Sequence, residues 1–145
     1  MSDPTSHAAR VRAVWAAAWD HGDVDALDAL LAPDYRRVTS AGEVHTRAEF
    51  KESITGTRNA FPDLLTVIDE ILVDGDRAAI RWHSSGTQEA RFLGVPATGG
   101  SVTVVGATFA RFGDGSDDRI VEEHVTWDPR SLLTALGILS IGQGD

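Results

Sequence analysis

The chain has 145 residues, with 13 Lys and Arg against 22 Asp and Glu, a formal charge of −9, and no cysteine. That charge argues against nucleic acid and against anionic membrane surfaces as partners, because both are bound through Lys and Arg. The missing cysteines exclude disulfides, thiolate metal sites and a cysteine nucleophile. The apolar share of 42% and charged share of 24% are those of a globular protein, and a single domain of this length buries about 70% of its unfolded surface. The first residues form no export signal, and no apolar run is long enough to span a membrane. The expectation is one soluble cytoplasmic domain over residues 1–145.

The chain opens with a helical pattern from residue 5, with Val11, Trp15, Ala18 and Trp19 on one face. Gly22 is the expected stop. Asp23 reads as the N-cap of a short second helix carrying Val24, Leu27, Leu30 and Leu31 inward, ended by Pro33. Residues 35–39 read as a short strand. Thr46-Arg47-Ala48-Glu49 fits a capping box, which starts a third helix bearing Phe50 and Ile54. Phe61-Pro62 closes it, since proline disfavours helical backbone at the residue before it.

Strands follow. Residues 64–73 and 77–88 flank the hairpin signal Asp74-Gly75-Asp76. Ala78, Ile80, Trp82 and Ser84 share one face by the period of two, whereas Arg81, His83 and Ser85 point to the outer face. Residues 92–100 read as a loop and 101–112 as a strand. Gly113 to Asp118 is a polar turn that lacks the spaced ligands of a calcium loop. Residues 119–128 are the last strand. Leu132, Leu133 and Leu136 suggest a closing helix with Gly137 as its C′ residue. Helices first and antiparallel strands after them make an α+β layout: three N-terminal helices on a curved, mostly antiparallel sheet, with a pocket between the layers.

The segments Phe61-Pro62-Asp63-Leu64, Val73-Asp74-Gly75-Asp76-Arg77, Gly86-Thr87-Gln88, Phe92 to Gly99, Ile120-Val121-Glu122-Glu123 and Trp127-Asp128 stand in the order found in SnoaL-like polyketide cyclases and related ester-cyclase-like proteins. Over about residues 8–139 the chain resembles that family. The resemblance implies the cone-shaped α+β barrel of the nuclear-transport-factor-2-like superfamily. It further implies a deep apolar pocket, no cofactor and a homodimer through the outer sheet face. Activities in the superfamily range from aldol cyclisation, epoxide opening and isomerisation to plain ligand binding. The resemblance places the aldol cyclases' acid/base Asp at Val125, their first-strand Asn at Arg37 and a strand His at Thr108. The scaffold matches and the aldol constellation does not.

Six residues carry the remaining chemistry. Glu123 shares a face with Val125; turned inward it is a desolvated acid/base, and turned outward a solvated charge. His124 faces the other way unless the register slips, in which case it takes the acid/base position. Asp63 is either a turn residue or a pocket carboxylate, and with Glu123 it is the only pair fit for epoxide opening or cyclic-ether formation. Arg37 shares a face with Tyr35; turned inward it stabilises a carboxylate or enolate and needs a buried partner, Glu123 or Asp63. Tyr35 and Thr108 would polarise a carbonyl.

Trp15, Trp19, Trp82 and Trp127 are either core or the flat lining for a large planar ligand, with Phe92 as a lid. His7, His21 and His45 are scattered, and no cluster has metal-ligand spacing. No nucleotide-binding motif occurs. The expected function is a cofactor-independent cyclase or isomerase in natural-product biosynthesis, folding a hydrophobic polyketide-type intermediate with limited acid/base help. Epoxide hydrolysis or ether formation, and non-catalytic ligand binding, are the alternatives.

Overall fold

In the computed structural model, residues 4–128, 132–134 and 136 are described. Helix α1 (Pro4–Trp15) continues through Ala16–Asp20 with wider π geometry. It ends where Gly22 takes φ +75°, left-handed backbone that glycine adopts without steric cost. A 3-10 helix spans Val24–Ala29, and Asp23 stands at its N-cap without the expected side-chain cap bond. Helix α2 (Arg47–Ala60) carries the full capping box: Thr46 Oγ1 accepts from Glu49 N at 3.1 Å, and Glu49 Oε1 accepts from Thr46 N at 2.8 Å. Phe50 and Ile54 face the core, as their spacing predicts.

Six strands follow the order β2-β1-β6-β5-β4-β3. They are β1 (Leu31–Thr39), β2 (Val44–Thr46), β3 (Leu65–Asp74), β4 (Arg77–Thr87), β5 (Ser101–Phe112) and β6 (Ile120–Trp127). Only β1 and β6 run parallel; the other neighbours are antiparallel. The curved, unclosed sheet wraps its inner face around α1 and α2, so the α+β cone is the observed architecture.

Two local readings change. Leu31 and Pro33, expected at the end of the second helix, belong to β1. Pro33 and Asp34 fall where the β1–β6 register slips between Leu31 and Arg36, a place where a missing N–H costs no ladder bond. Strand β2, only three residues long, was not expected at all. At the other end of the chain, 132–134 are helical, with Leu132 buried against Phe61, Leu64 and Val102. Gly137 lies outside the described residues.

The main core joins Val11, Leu27, Leu30, Leu31, Ile54, Ile80 and Phe112, and is continuous with Trp15, Phe50, Trp82 and Val125. Toward the wide end the inner face is not filled, and the gap is the pocket. The outer face leaves Leu72, Val105 and Phe109 more than half exposed. Among the described residues no helix is long and apolar enough to cross a membrane.

Candidate functional site

Period-two alternation on β6 buries Glu123 and Val125, while His124 and Thr126 are exposed; Ile120, also buried, lies beyond a register shift. Glu123 is therefore inward, 1% exposed. His124 is outward and within 3.3 Å of Glu122 on the outer face, which removes it from the acid/base position. No register slip occurs between Glu122 and Trp127.

Strand β1 lies alongside with the same inward face, and pairs Arg37 with Glu123 and Thr39 with Val125. The Tyr35 hydroxyl donates to Glu123 Oε1. Arg37 Nη1 donates to the same oxygen at 3.2 Å, while Glu123 Oε2 is buried and has no partner. The Arg37 guanidinium also sits 4.0 Å above the Phe50 ring, a cation–π contact that fixes its plane. Burial raises the Glu123 pKa above the ordinary glutamate range, against the downward pull of Arg37 and Tyr35. Burial, and then the charge of Glu123, push the Tyr35 phenol well up.

Above this buried set opens a cavity of about 580 Å³, within the usual range of roughly 300–1,000 Å³ for small-molecule sites. Arg37 lines it; Glu123 and Tyr35 do not, and lie behind Arg37. Tyr35 was expected as a lining residue. One residue pair further along β1, deeper in the cone, its ring is 2% exposed and packs beside Phe50 instead.

All four tryptophans line the cavity. Trp82 comes from β4 and donates its indole N–H to Thr108 Oγ1 on β5 at 3.0 Å, so Thr108 also lines the wall while its hydroxyl serves Trp82. Trp19 is held at the helix end because Arg58 Nη1 donates to its carbonyl at 2.7 Å. Phe92 lines the cavity from the loop and meets Phe61 edge-on at 5.3 Å. That loop is tied down by buried Gln88, whose side-chain amide donates to the carbonyls of Ala90 and Val95 and accepts from Thr98.

Asp63 is the largest departure. It is exposed and stands outside the lining. Its carboxylate accepts from Thr87 N at 2.7 Å and from Thr87 Oγ1 at 2.9 Å, and those bonds lower its pKa. It ties the turn after α2 to the end of β4, which leaves Glu123 without the second pocket carboxylate that epoxide opening requires.

Several lining residues escaped the sequence reading. Phe50, Ser53 and Thr57 come from α2, and Thr66 and Ser84 form a hydroxyl pair at 2.7 Å. Ser84 was expected inward, but Ser85, expected outward with Arg81 and His83, also borders the cavity where β4 ends. His45 joins the lining because β2 pairs it with Arg37; only a prediction of β2 would have found it. His83 stays on the outer face, 2.9 Å from Asp69. His7 is buried, stacks on Phe112 at 3.9 Å and does not line the cavity. Among the described residues no group of three or more His, Asp or Glu is arranged for a metal ion.

Solved structures with this fold include proteins of related sequence. AclR from Streptomyces galilaeus, a proposed hydroxylase, is 27% identical with a TM-score of 0.82, over 95% of this chain and 100% of that one. TsrD from Streptomyces laurentii is 27% identical with a TM-score of 0.84, over 96% and 100%. IdmH from Streptomyces antibioticus, a proposed polyketide cyclase, is 28% identical with a TM-score of 0.76, over 90% and 98%. No curated protein matches the sequence. The family model for SnoaL-like polyketide cyclases matches residues 9–136. With that match across nearly the whole cone, and with the pocket in place, the chain belongs to the SnoaL-like polyketide cyclase family.

Proposed function

We propose that the protein is a cofactor-independent cyclase or isomerase for a hydrophobic polyketide-type intermediate. One observation carries this reading: Arg37 faces an aromatic cavity while Glu123 and Phe50 hold its guanidinium rigid from behind and below. A fixed cation in a water-poor pocket stabilises an enolate or polarised carbonyl oxygen without reorganising. The tryptophans shape the flexible substrate so that the reacting carbons meet, and orientation alone lowers such a barrier by up to about 7–11 kcal/mol. Glu123 lies behind Arg37 and outside the lining, so it serves as a positioning residue that holds the guanidinium through Oε1. The aldol Asp position is Val125, so this chemistry leans on folding and on Arg37 more than on a strong base.

The homodimer implied by the family resemblance would cover Leu72, Val105 and Phe109 on the outer face. Natural-product biosynthesis is the setting that the proposed activities of AclR and IdmH suggest.

The test is turnover of a panel of linear polyketide intermediates, followed by chromatography and mass spectrometry for cyclised isomers. Wild type should accelerate ring closure, Arg37→Ala should lose about 100-fold or more, the lower range for a positioned charge, and Glu123→Gln, which keeps an oxygen for Arg37, should lose less. Equal rates with and without protein across the panel would show a binding module rather than an enzyme. Equal rates for wild type and both variants would remove the assigned roles.

A further inference from the structure

Resting on the reading of this cavity as the substrate site, we propose that its ligand carries a free carboxylate, bound at the wall formed by Arg37 and His45. The substrate is then an apolar acid rather than a neutral ester or ketone. The ionisable residues of the described lining are Arg37, His45 and Arg91, and none is Asp or Glu. This occurs in a chain with 22 acidic residues and a net charge of −9. The described lining thus carries basic side chains and no acidic one, inside an acidic protein.

Geometry gathers two of these basic side chains. Arg37 and His45 are cross-strand partners on β1 and β2, and directly paired side chains leave the sheet on one face, about 5 Å apart at Cβ. The nearby acids are engaged elsewhere or only in part. Glu123 takes one Arg37 nitrogen, Nη1, through Oε1, and Tyr35 also lies within hydrogen-bonding reach of the guanidinium, which has five donors in all. Glu43 approaches His45 to 3.8 Å but is 69% exposed. Asp63, near the cavity at Gly86, is held by Thr87. Arg91 stands on the 88–100 loop, donates Nη1 to Gly94 O at 2.9 Å, and shows no ion pair among the described residues.

A neutral oxygen would be well served by the Ser and Thr hydroxyls already in the wall. Glu123 meets the Arg37 charge from behind, while on the cavity side the described lining offers that guanidinium no acid. A planar guanidinium also matches a carboxylate with two parallel N–H···O bonds.

The experiment is a binding comparison that needs no turnover. Anthracene-9-carboxylate and its methyl ester are titrated against the full chain, with quenching of tryptophan fluorescence as readout. The acid should bind at least about tenfold tighter, the gain expected of a charge-assisted hydrogen bond. His45→Gln, at a partly exposed position that should not disturb folding, should weaken the acid several-fold and leave the ester unchanged. Equal or tighter binding of the ester overturns the proposal, as does failure of both compounds to bind. The two readings separate cleanly. Acid preference without cyclisation of any substrate removes the cyclase and keeps the carboxylate site. Cyclisation of esters without acid preference does the reverse.

Discussion

Arg37 stands opposite Glu123 in the parallel ladder of β1 and β6, and the two side chains meet at 3.2 Å on the inner face of the sheet. Their exposures are unequal, 15% for Arg37 and 1% for Glu123. The arginine therefore reaches the cavity and the glutamate does not. Breaking such a pair from one side leaves a buried charge uncompensated, which costs about 3–5 kcal/mol, whereas replacing both can be close to neutral. Arg37→Met and Glu123→Leu should each lower stability by a few kcal/mol, and the double variant should recover most of the loss. Urea denaturation of the four proteins measures this coupling. Additive losses would mean that the two residues do not depend on each other.

The same burial gives a pH dependence with a definite sign. Burial raises the Glu123 pKa in the folded protein above its unfolded value. The folded state then binds the proton more tightly, so stability from this group is full below the unfolded glutamate pKa and is lost as pH rises through the folded one. Against Glu123→Gln, wild type should lose relative stability with rising pH and then level off. Tyr35 donates to Glu123 and holds its pKa down, so Tyr35→Phe should move that transition to higher pH. Thermal melts across a pH series provide the comparison. A wild-type curve parallel to that of Glu123→Gln would mean that Glu123 does not titrate differently in the two states.

Short-range chemistry was legible in the residues alone. The Thr46–Glu49 capping box, the Asp74-Gly75-Asp76 hairpin and the shared face of Glu123 and Val125 all follow from spacings of two to four residues, though which way that face points does not. What was not legible depends on pairing between distant segments. Whether Asp63 met the pocket or Thr87 turned on where β4 ends, 24 residues away. Tyr35 and Arg37 share a face, yet only their depth along β1 separates a floor residue from a lining one. His45 needed β2, a strand too short for any periodicity to mark. The parallel β1–β6 pair that joins Arg37 to Glu123 crosses 86 positions, and no local pattern announces it.

Asp63 supplies a negative control with content. Its carboxylate is exposed, outside the cavity, and bound to Thr87. Asp63→Asn keeps an oxygen for Thr87 N and should leave turnover within about twofold of wild type, the scale of an ordinary surface substitution. A hundredfold loss in steady-state kinetics would instead return Asp63 to the chemistry and revive the paired-carboxylate mechanism.

Trp82 is the aromatic wall most exposed to a single-atom test. Its indole N–H goes to Thr108 Oγ1 at 3.0 Å, and both residues are largely buried. On the other side, a Cβ added at Gly106 would lie 2.4 Å from Trp82 Cζ2 and 2.8 Å from the Thr126 carbonyl. The ring is therefore fixed by one hydrogen bond and one absent methyl group. Thr108→Val preserves shape but strands a buried donor, at about 1–3 kcal/mol. Gly106→Ala overpacks the strand and should cost about the same or more. The two should differ in the cavity. The valine leaves the ring in place and ligand affinity nearly intact, whereas the alanine displaces the ring into the cavity and weakens every ligand that reaches it. Denaturation together with ligand titration of both variants separates the effects. A larger affinity loss in Thr108→Val than in Gly106→Ala would show that the hydrogen bond, rather than the close approach at Gly106, holds Trp82 against the pocket.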